Sequence, residues 1–335
     1  MKKILLSMMA VAALASCSQD EQVNITTGEN EIVAGATTLS VDASTKAPVN
    51  SIPAEGLLAR VPVSARPGDY TTEWQNNAGY MKFMSASTAT SFCDDNGTVT
   101  PKFYPADNST IYLCGLYPHD AWGTITTSAT ASIDGKTDLM FAPQVTTTKD
   151  DAPSSFKTLA FGHLLTQLRI QFQAADQDAA NAWGNISGLE LLDKDGAALN
   201  KGVTVTLSDG TPAFATGTGT LSFYQCTSKT DFTENEYAAK APTTAATYVA
   251  YILCPPVTAD GATTAEYKLK ITSAGGATET VDINLKDTGN TNNFDRSTAG
   301  SAFDILLNFK ATEIKAQATI TGWQDKGQTE VPVGE

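Results

Sequence analysis

Few residues in this sequence of 335 amino acids have the types and spacing that catalysis needs. A Ser–His–carboxylate triad requires a histidine base, and the sequence contains only His119 and His163. His163 lies inside an apolar run, which favours a packed core histidine over a base. Ser154 and Ser155 lack the Gly-x-Ser-x-Gly turn that exposes a hydrolase nucleophile. The sequence therefore predicts a protein that is not an enzyme and that needs no cofactor.

The second set of reactive side chains consists of Cys93, Cys114, Cys226 and Cys254. These cysteines are too widely spaced for the paired-cysteine pattern of zinc sites, so no metal site is predicted. In an exported protein they could form disulfides, and pairing within each half would join Cys93 to Cys114 and Cys226 to Cys254. A free cysteine also packs well inside an apolar strand. Disulfides and buried free thiols therefore both stay open.

The charge of the chain excludes one class of partner. Asp and Glu number 36 against 22 Lys and Arg, which gives a formal net charge of -14 at pH 7. A surface that binds nucleic acid needs basic side chains against the phosphates, and a strongly acidic protein repels them. We therefore expect no nucleic-acid partner.

The N-terminus has the pattern of an export signal. Two lysines precede an apolar run from Ile4 to Ala15, which is shorter than the roughly 20 residues of a membrane-spanning helix. The run ends in Leu14-Ala15-Ser16-Cys17, which resembles the lipobox of bacterial lipoproteins. That resemblance implies a signal peptide over residues 1–16 and a lipid anchor on the Cys17 thiol and amine. The alternative is an ordinary signal peptide followed by an incidental cysteine.

The acidic residues that follow Cys17 give a further indication of location. They resemble the tag that sends some lipoproteins to the outer face of the outer membrane. A lipid-anchored precursor at the cell surface is therefore expected.

The rest of the sequence predicts antiparallel β-structure. Short runs alternate apolar and polar residues and are rich in β-branched and aromatic types. Between them stand pairs typical of tight hairpin turns, such as Asn96-Gly97 and Asp195-Gly196. The polar, Ala-rich stretch from Ala174 to Trp183 predicts a short surface helix at most. The predicted strands are Thr38 to Val41, Leu57 to Val63, Tyr80 to Met84, Thr110 to Leu116, Leu168 to Phe172, Gly188 to Leu192, Gly202 to Leu207, Tyr248 to Leu253, Tyr267 to Ile271, Thr280 to Leu285, Phe303 to Phe309 and Glu313 to Ile320.

The number and length of these runs predict two β-sandwich domains in series. The apolar passage from Leu159 to Phe172 could carry the chain from the last strand of one sandwich into the first strand of the next. The boundary is therefore expected near residues 160–175, with an N-terminal sandwich over residues 47–165 and a C-terminal sandwich over residues 166–335.

Short motifs in a fixed order carry a resemblance to a known family. After the lipobox they are Thr45-Lys46-Ala47, Phe103-Tyr104-Pro105, Tyr112 to Pro118, Asp138 to Ala142, Phe161-Gly162-His163-Leu164, Leu253-Cys254-Pro255-Pro256 and Ile320-Thr321-Gly322-Trp323. Together they resemble the fimbrillin family of Bacteroidales over essentially the whole chain. The resemblance implies two tandem transthyretin-like Greek-key β-sandwich domains. It also implies a stalk, tip or anchor subunit of a type V pilus, or fimbria, that supports adhesion.

The resemblance also implies a mechanism of assembly. In that family a trypsin-like protease removes the N-terminal strand, and a donor strand from the next subunit takes its place. In this sequence, residues 17–46 would hold the tether and the removable strand, about Ile32 to Thr45, with the cut between Lys46 and Ala47. The runner-up cut lies between Arg60 and Val61. The implied partners are other pilus subunits, the protease and, through the lipid anchor, the outer membrane.

The donor would be the C-terminal segment from Glu313 to Val333. Its alternation predicts one apolar face, as a strand that fills a groove in a neighbour requires. That face consists of Ile314, Ala316, Ala318 and Ile320. The alternative is that these segments are the first and last strands of a monomer and that Lys46 is a loop lysine.

A second function, from a different class, also stays open. Trp74, Trp122 and Trp183 lie near Gly and Asn residues, and exposed indole rings could stack on sugars. The chain would then be a carbohydrate-binding surface lipoprotein. Tryptophans also pack in sandwich cores, and the sequence does not separate the two.

Overall fold

The computed structural model describes residues 30–38, 52–71, 79–84, 88–151, 156–215, 217–256, 267–285, 299–311 and 314–320. In these ranges the chain forms twenty strands, one short α-helix and one 3-10 turn, so the prediction of an all-β protein is confirmed. The elements are β1 (Val33–Thr38), β2 (Leu57–Arg60), β3 (Val63–Ser64), β4 (Tyr80–Phe83), β5 (Thr90–Cys93), β6 (Ile111–Tyr117), β7 (Ser128–Ser132), β8 (Met140–Thr147), the 3-10 turn (Lys149–Asp151), β9 (Lys157–His163), β10 (Thr166–Ala174), α1 (Gln177–Trp183), β11 (Ile186–Asp193), β12 (Gly202–Thr206), β13 (Pro212–Ala213), β14 (Tyr224–Cys226), β15 (Phe232–Glu236), β16 (Thr247–Cys254), β17 (Tyr267–Ser273), β18 (Thr278–Ile283), β19 (Ala302–Phe309) and β20 (Ile314–Ile320).

The first half of the chain forms a sheet of eight strands in the order β2-β4-β5-β1-β9-β8-β6-β3. A further pairing of Arg60 with Leu116 joins β2 to β6 and closes the sheet on itself. β1 pairs antiparallel with β5 and parallel with β9. It therefore lies inside the sheet, with a neighbour on each side.

The second half contains a six-stranded sheet in the order β15-β14-β16-β10-β19-β20 and a three-stranded sheet in the order β11-β17-β18. The central strands β10 and β19 run parallel. The predicted helix is present as α1, which begins after Asp176. The carboxylate of Asp176 caps the helix by accepting a hydrogen bond from the Ala179 N–H at 2.7 Å.

The two halves meet in a shared core. The chain passes from β9 to β10 across two residues within the region where the boundary is expected. However, β7 from the first half pairs with β12 from the second over five residue pairs, and together with β13 they form a second three-stranded sheet. The larger core cluster likewise joins Leu116 and Phe141 to Leu168 and Phe309. The smaller core cluster lies inside the first sheet.

The hairpin turns are placed as the sequence predicts. Gly97 and Gly196 have φ angles of 85° and 84°, a region that glycine enters without steric cost. In the first of these turns, the Asp94 carboxylate accepts hydrogen bonds from the Asn96 and Thr98 N–H groups at 3.0 and 2.8 Å.

Two predicted strands differ from the structure. The single strand expected from Leu57 to Val63 is divided into β2 and β3 on either side of Pro62, because proline has no N–H to continue a ladder. β1 begins before the expected strand Thr38 to Val41, and residues 39–41 lie outside the described ranges.

Candidate functional site

β1, which lies in the segment predicted to be removed by cleavage, is hydrogen-bonded along both of its edges. It pairs with β5 through Val33 and Ala34, and with β9 over five residues from Ala34 to Thr38. Immediately before the strand, the Ile32 N–H donates to the Lys102 carbonyl at 2.8 Å. β1 is therefore an interior strand of the first sheet.

One face of this segment is part of the core of the first sheet. The side chains of Ile32, Ala34 and Ala36 are fully buried, and they belong to the same cluster as Phe92 and Leu159. Complete burial of a side chain the size of isoleucine stabilises a fold by about 1.5–3 kcal/mol. Alternate positions of this segment therefore place one large side chain, Ile32, and two small ones, Ala34 and Ala36, against the core.

The opposite face of β1 has little room at Gly35. A Cβ atom added there would lie 2.7 Å from Cε2 of Phe156, which is closer than non-bonded carbons pack. A residue with a side chain therefore fits at this position only if the Phe156 ring shifts.

Removal of β1 would leave a groove between β5 and β9. The backbone groups of β5 and β9 that now pair with it would lose their partners, and the core residues beneath it would be uncovered. Such a groove offers an extended peptide both hydrogen bonds and apolar contacts. The predicted cleavage site, Lys46 and Ala47, falls between β1 and β2 and lies outside the described residues.

The runner-up cleavage site between Arg60 and Val61 lies at the end of β2, in the eight-stranded sheet. The Arg60 guanidinium donates to the carbonyls of Trp122 and Gly123 at 3.3 and 3.1 Å. Val61 is fully buried, and its N–H donates to the Gly79 carbonyl at 2.7 Å. A protease could reach this peptide bond only after local unfolding of β2.

The described part of the predicted donor segment, β20, is an edge strand of the six-stranded sheet. β20 pairs antiparallel with β19, from Phe303 opposite Ile320 to Phe309 opposite Ile314. Ile314 is buried, and Ala316 packs against the larger core cluster. The side chains of Ala318 and Ile320, and all residues after Ile320, lie outside the described part.

The four cysteines of the described ranges, Cys93, Cys114, Cys226 and Cys254, are all buried and free. The structure thus contains packed thiols, and neither Cys93 with Cys114 nor Cys226 with Cys254 forms a disulfide in it. Burial raises the pKa of the thiol to about 11 for Cys93 and to about 12 for the other three. At neutral pH these thiols are protonated and therefore poor nucleophiles.

Both candidate histidines make structural contacts. His163, at the end of β9, places Nδ1 2.9 Å from Oδ1 of Asp138, and both side chains are buried. His119 packs edge-on against the ring of Tyr80, with 5.7 Å between ring centroids. Asp138 and His163 lie in two of the motifs that carry the family resemblance, but nothing in the sequence indicates that the two residues form a pair.

A buried ion pair lies on the six-stranded sheet. Nε of Arg169 is 2.7 Å from Oδ1 of Asp304, and Lys229 approaches the other carboxylate oxygen at 3.6 Å. The Tyr248 hydroxyl donates to the same carboxylate at 3.0 Å. Burial, and secondly the charge of Asp304, raise the pKa of Tyr248 well above its ordinary value. These contacts hold β10, β16 and β19 together on that face.

The tryptophans of the described ranges are packed. The Trp122 indole N–H donates to the Tyr117 carbonyl at 3.2 Å, and the side chain is buried. Trp183 donates to the Lys310 carbonyl at 2.7 Å and packs against a phenylalanine ring of β19. Trp74 lies outside the described residues. Trp122 offers no open ring for a sugar, and Trp183 is half-buried.

The described ranges contain no group of three or more His, Cys, Asp or Glu residues placed to hold a metal ion. No helix within them is long and apolar enough to cross a membrane. Cys17, the predicted lipidation site, lies outside them.

Comparisons with known proteins match the chain to one family and one fold. The sequence model of fimbrillin-like proteins matches residues 63–323. A crystal structure described as a cell adhesion protein from Bacteroides uniformis has 16% identity and a TM-score of 0.54, and the match covers 88% of this chain and 98% of that one. A similarly described protein from Bacteroides ovatus has 12% identity and a TM-score of 0.51, covering 92% and 100%. At these identities the likeness shows the fold. No curated protein matches the chain.

Proposed function

The chain belongs to the fimbrillin-like family, and from this premise we propose that it is a structural subunit of a cell-surface type V pilus that supports adhesion. In this proposal the precursor is anchored to the outer membrane through lipid on Cys17. A trypsin-like protease then removes the segment that contains β1, and a strand from another subunit takes its place. Residues 47–165 and 166–335 are the two sandwich domains of the subunit.

The observation that carries the proposal is the position of β1. It is the first strand of the described chain, yet it lies between β5 and β9 with its apolar face fully buried. A cut at Lys46 would turn it into a separate peptide held only by hydrogen bonds and packing. The groove left behind would have two unpaired edges and an apolar floor, which an added strand satisfies.

Lys46 is a better cleavage site than Arg60 for a physical reason. A cut after Lys46 releases β1 and leaves β2 intact. A cut after Arg60 would also remove β2, which pairs with β4 over four residues, and would require that strand to open first.

The proposal is tested by treating the purified full chain with trypsin-like protease and following its size by chromatography and electron microscopy. We expect the uncut chain to stay monomeric and the cut chain to form filaments. The variant Lys46→Ala should stay monomeric after treatment, whereas Arg60→Ala should assemble like the unaltered chain. Filaments from uncut protein, or assembly of Lys46→Ala that equals that of Arg60→Ala, would contradict the proposed switch.

The carbohydrate-binding alternative gains no support from the described tryptophans. It requires exposed aromatic rings, and the two tryptophans that the structure describes are engaged in packing and in hydrogen bonds to backbone carbonyls. The same size measurement separates the two functions, because a glycan-binding monomer would not form filaments after cleavage at Lys46.

A further inference from the structure

Three apolar residues are exposed on one short segment of the first half of the chain. Val99 and Phe103 are 45% and 46% exposed, and with Met84 they are the exposed large apolar side chains of the described ranges. Pro101, between them, is also exposed. Alternate positions of an extended segment lie on one side of it. Val99, Pro101 and Phe103 are therefore called the apolar stripe.

The segment that carries the apolar stripe is held to the protein by its other side chains. Lys102 and Tyr104 are buried. Nζ of Lys102 lies 5.5 Å from the centre of the Phe92 ring, a cation–π contact. The Tyr104 hydroxyl lies 2.8 Å from the hydroxyl of Thr147. Because these contacts hold the segment from inside, the stripe stays on the surface.

The apolar stripe lies beside the first described residue of the chain, Asn30. The Tyr104 N–H donates to the Asn30 carbonyl at 2.9 Å. Phe103 of the stripe pairs with Glu31 in an isolated antiparallel bridge. The stripe therefore borders the point at which the chain arrives from Cys17, the predicted lipidation site.

The connection from Cys17 to this point is short. Twelve residues, 18–29, separate Cys17 from Asn30. Even fully extended, that length of chain spans at most about 43 Å. In the anchored precursor the protein would therefore be tied to the bilayer through a point next to its exposed apolar residues. Apolar and aromatic side chains near a bilayer are stabilised in the lipid–water interface.

We propose that the apolar stripe contacts the membrane in the anchored precursor, with the side chains of Val99 and Phe103 in the lipid–water interface. This inference rests on the proposed function, because it requires the lipid on Cys17. It adds a second membrane contact and an orientation of the subunit, with the Asn30 end of the eight-stranded sheet towards the bilayer.

The turn that precedes the stripe indicates which lipid surface fits. Asp94 and Asp95 begin this turn, and the Asp94 N–H donates to the Thr98 carbonyl at 2.8 Å, directly before Val99. Two carboxylates beside the stripe would be repelled by anionic headgroups. A zwitterionic surface is therefore the matching partner.

The stripe would orient the precursor without holding it on the membrane. Even a single myristoyl chain gives only marginal, reversible binding, and the stripe has less apolar surface than such a chain. Cleavage after Lys46 would separate the subunit from the lipid on Cys17. The cut subunit should therefore leave the bilayer although it keeps the stripe.

The orientation is tested with the full lipidated precursor in phosphatidylcholine vesicles. Phe103→Cys, Val99→Cys and Met84→Cys are each labelled with the fluorophore NBD, which brightens in apolar surroundings. The cysteines of the described ranges are buried and should stay unlabelled in the folded protein. We expect emission from positions 103 and 99 to rise about twofold on vesicle binding and to be quenched by nitroxide-labelled lipid.

Met84 supplies the matched control. At 55% it is more exposed than either stripe residue, so unspecific contact of the fluorophore with lipid would appear there at least as strongly. It lies roughly 13 Å along the strand direction from Tyr80, which pairs with Cys93 at the end of the sheet next to the stripe. We expect its emission to stay unchanged.

The possible results separate this inference from the proposed anchor. Bound, palmitate-labelled precursor with no brightening at position 103, or with equal brightening at position 84, would overturn the orientation and leave the anchor in place. Brightening at position 103 in protease-treated polymers but not on vesicles would make the stripe a contact between subunits and also overturn it. A precursor that carries no palmitate and does not bind vesicles would overturn the lipid anchor and this inference together.

Discussion

A substitution in the removed segment should weaken the precursor and leave the assembled pilus unchanged. Ile32 immediately precedes β1, is fully buried, and shares a core cluster with Leu159 of β9. Replacing a buried isoleucine or leucine with alanine costs about 2–5 kcal/mol, which combines lost transfer energy with the cavity left behind. We therefore expect Ile32→Ala and Leu159→Ala to lower the free energy of unfolding of the uncut precursor by similar amounts in this range.

The two variants should diverge after cleavage. Ile32 leaves with the cut peptide, so polymers of Ile32→Ala should resist denaturant as well as unaltered polymers do. Leu159 stays in the wall of the groove, so polymers of Leu159→Ala should dissociate at lower denaturant concentration. Guanidinium titration of the precursor and gel analysis of polymers at increasing denaturant measure both quantities. Equal weakening of the two polymers would refute the reasoning, because it would place residue 32 in the assembled state.

Three further outcomes are expected. Replacing Arg169 with methionine leaves the buried Asp304 carboxylate without its closest cation and should destabilise the protein by about 3–5 kcal/mol in chemical denaturation, whereas a double replacement with Asp304→Leu should recover much of the loss. Cys17→Ser should abolish palmitate labelling and release the chain from membranes; persistent labelling would contradict the lipid anchor. The thiols of Cys114 and Cys254 ionise at their ordinary value of 9.0 when unfolded and only at about 12 when buried. Stability measured by denaturation should therefore fall as pH rises from about 9 to 12, and alkylation at pH 8 should require unfolding.

The sequence indicated where strands occur better than it indicated which strands pair. Alternation from Tyr267 to Ile271 marks β17 well, because one of its faces is buried and the other is half-exposed. β1 was harder to recognise, since Ala34, Gly35 and Ala36 have weak β-propensity and the strand is specified by the core that encloses it. Nothing in a single sequence shows that β1 has β9 as its parallel neighbour.

The buried polar pairs mark a second limit of what the sequence shows. Arg169 and Asp304 belong to strands far apart in the chain, and their contact exists only because β10 and β19 pair in parallel with these residues directly opposite. The same holds for His163 and Asp138, which lie in two separate apolar motifs. Polar residues inside apolar runs could have been recognised as requiring partners, because a charge is rarely buried alone. Their partners follow only from the sheet order.

The connection between the two halves bears on how such a subunit would carry load. In the proposed filament, tension would enter at the β1 groove of the eight-stranded sheet and would leave through the predicted donor strand, β20, of the six-stranded sheet. The two halves are joined by more than the short connection from β9 to β10. β7 is hydrogen-bonded to β12 along five residue pairs, and the larger core cluster contains side chains of both halves. Separating the halves would require breaking this ladder and exposing the shared core at the same time. The fold therefore joins β1 and β20 through a continuous packed body, as the proposed filament requires.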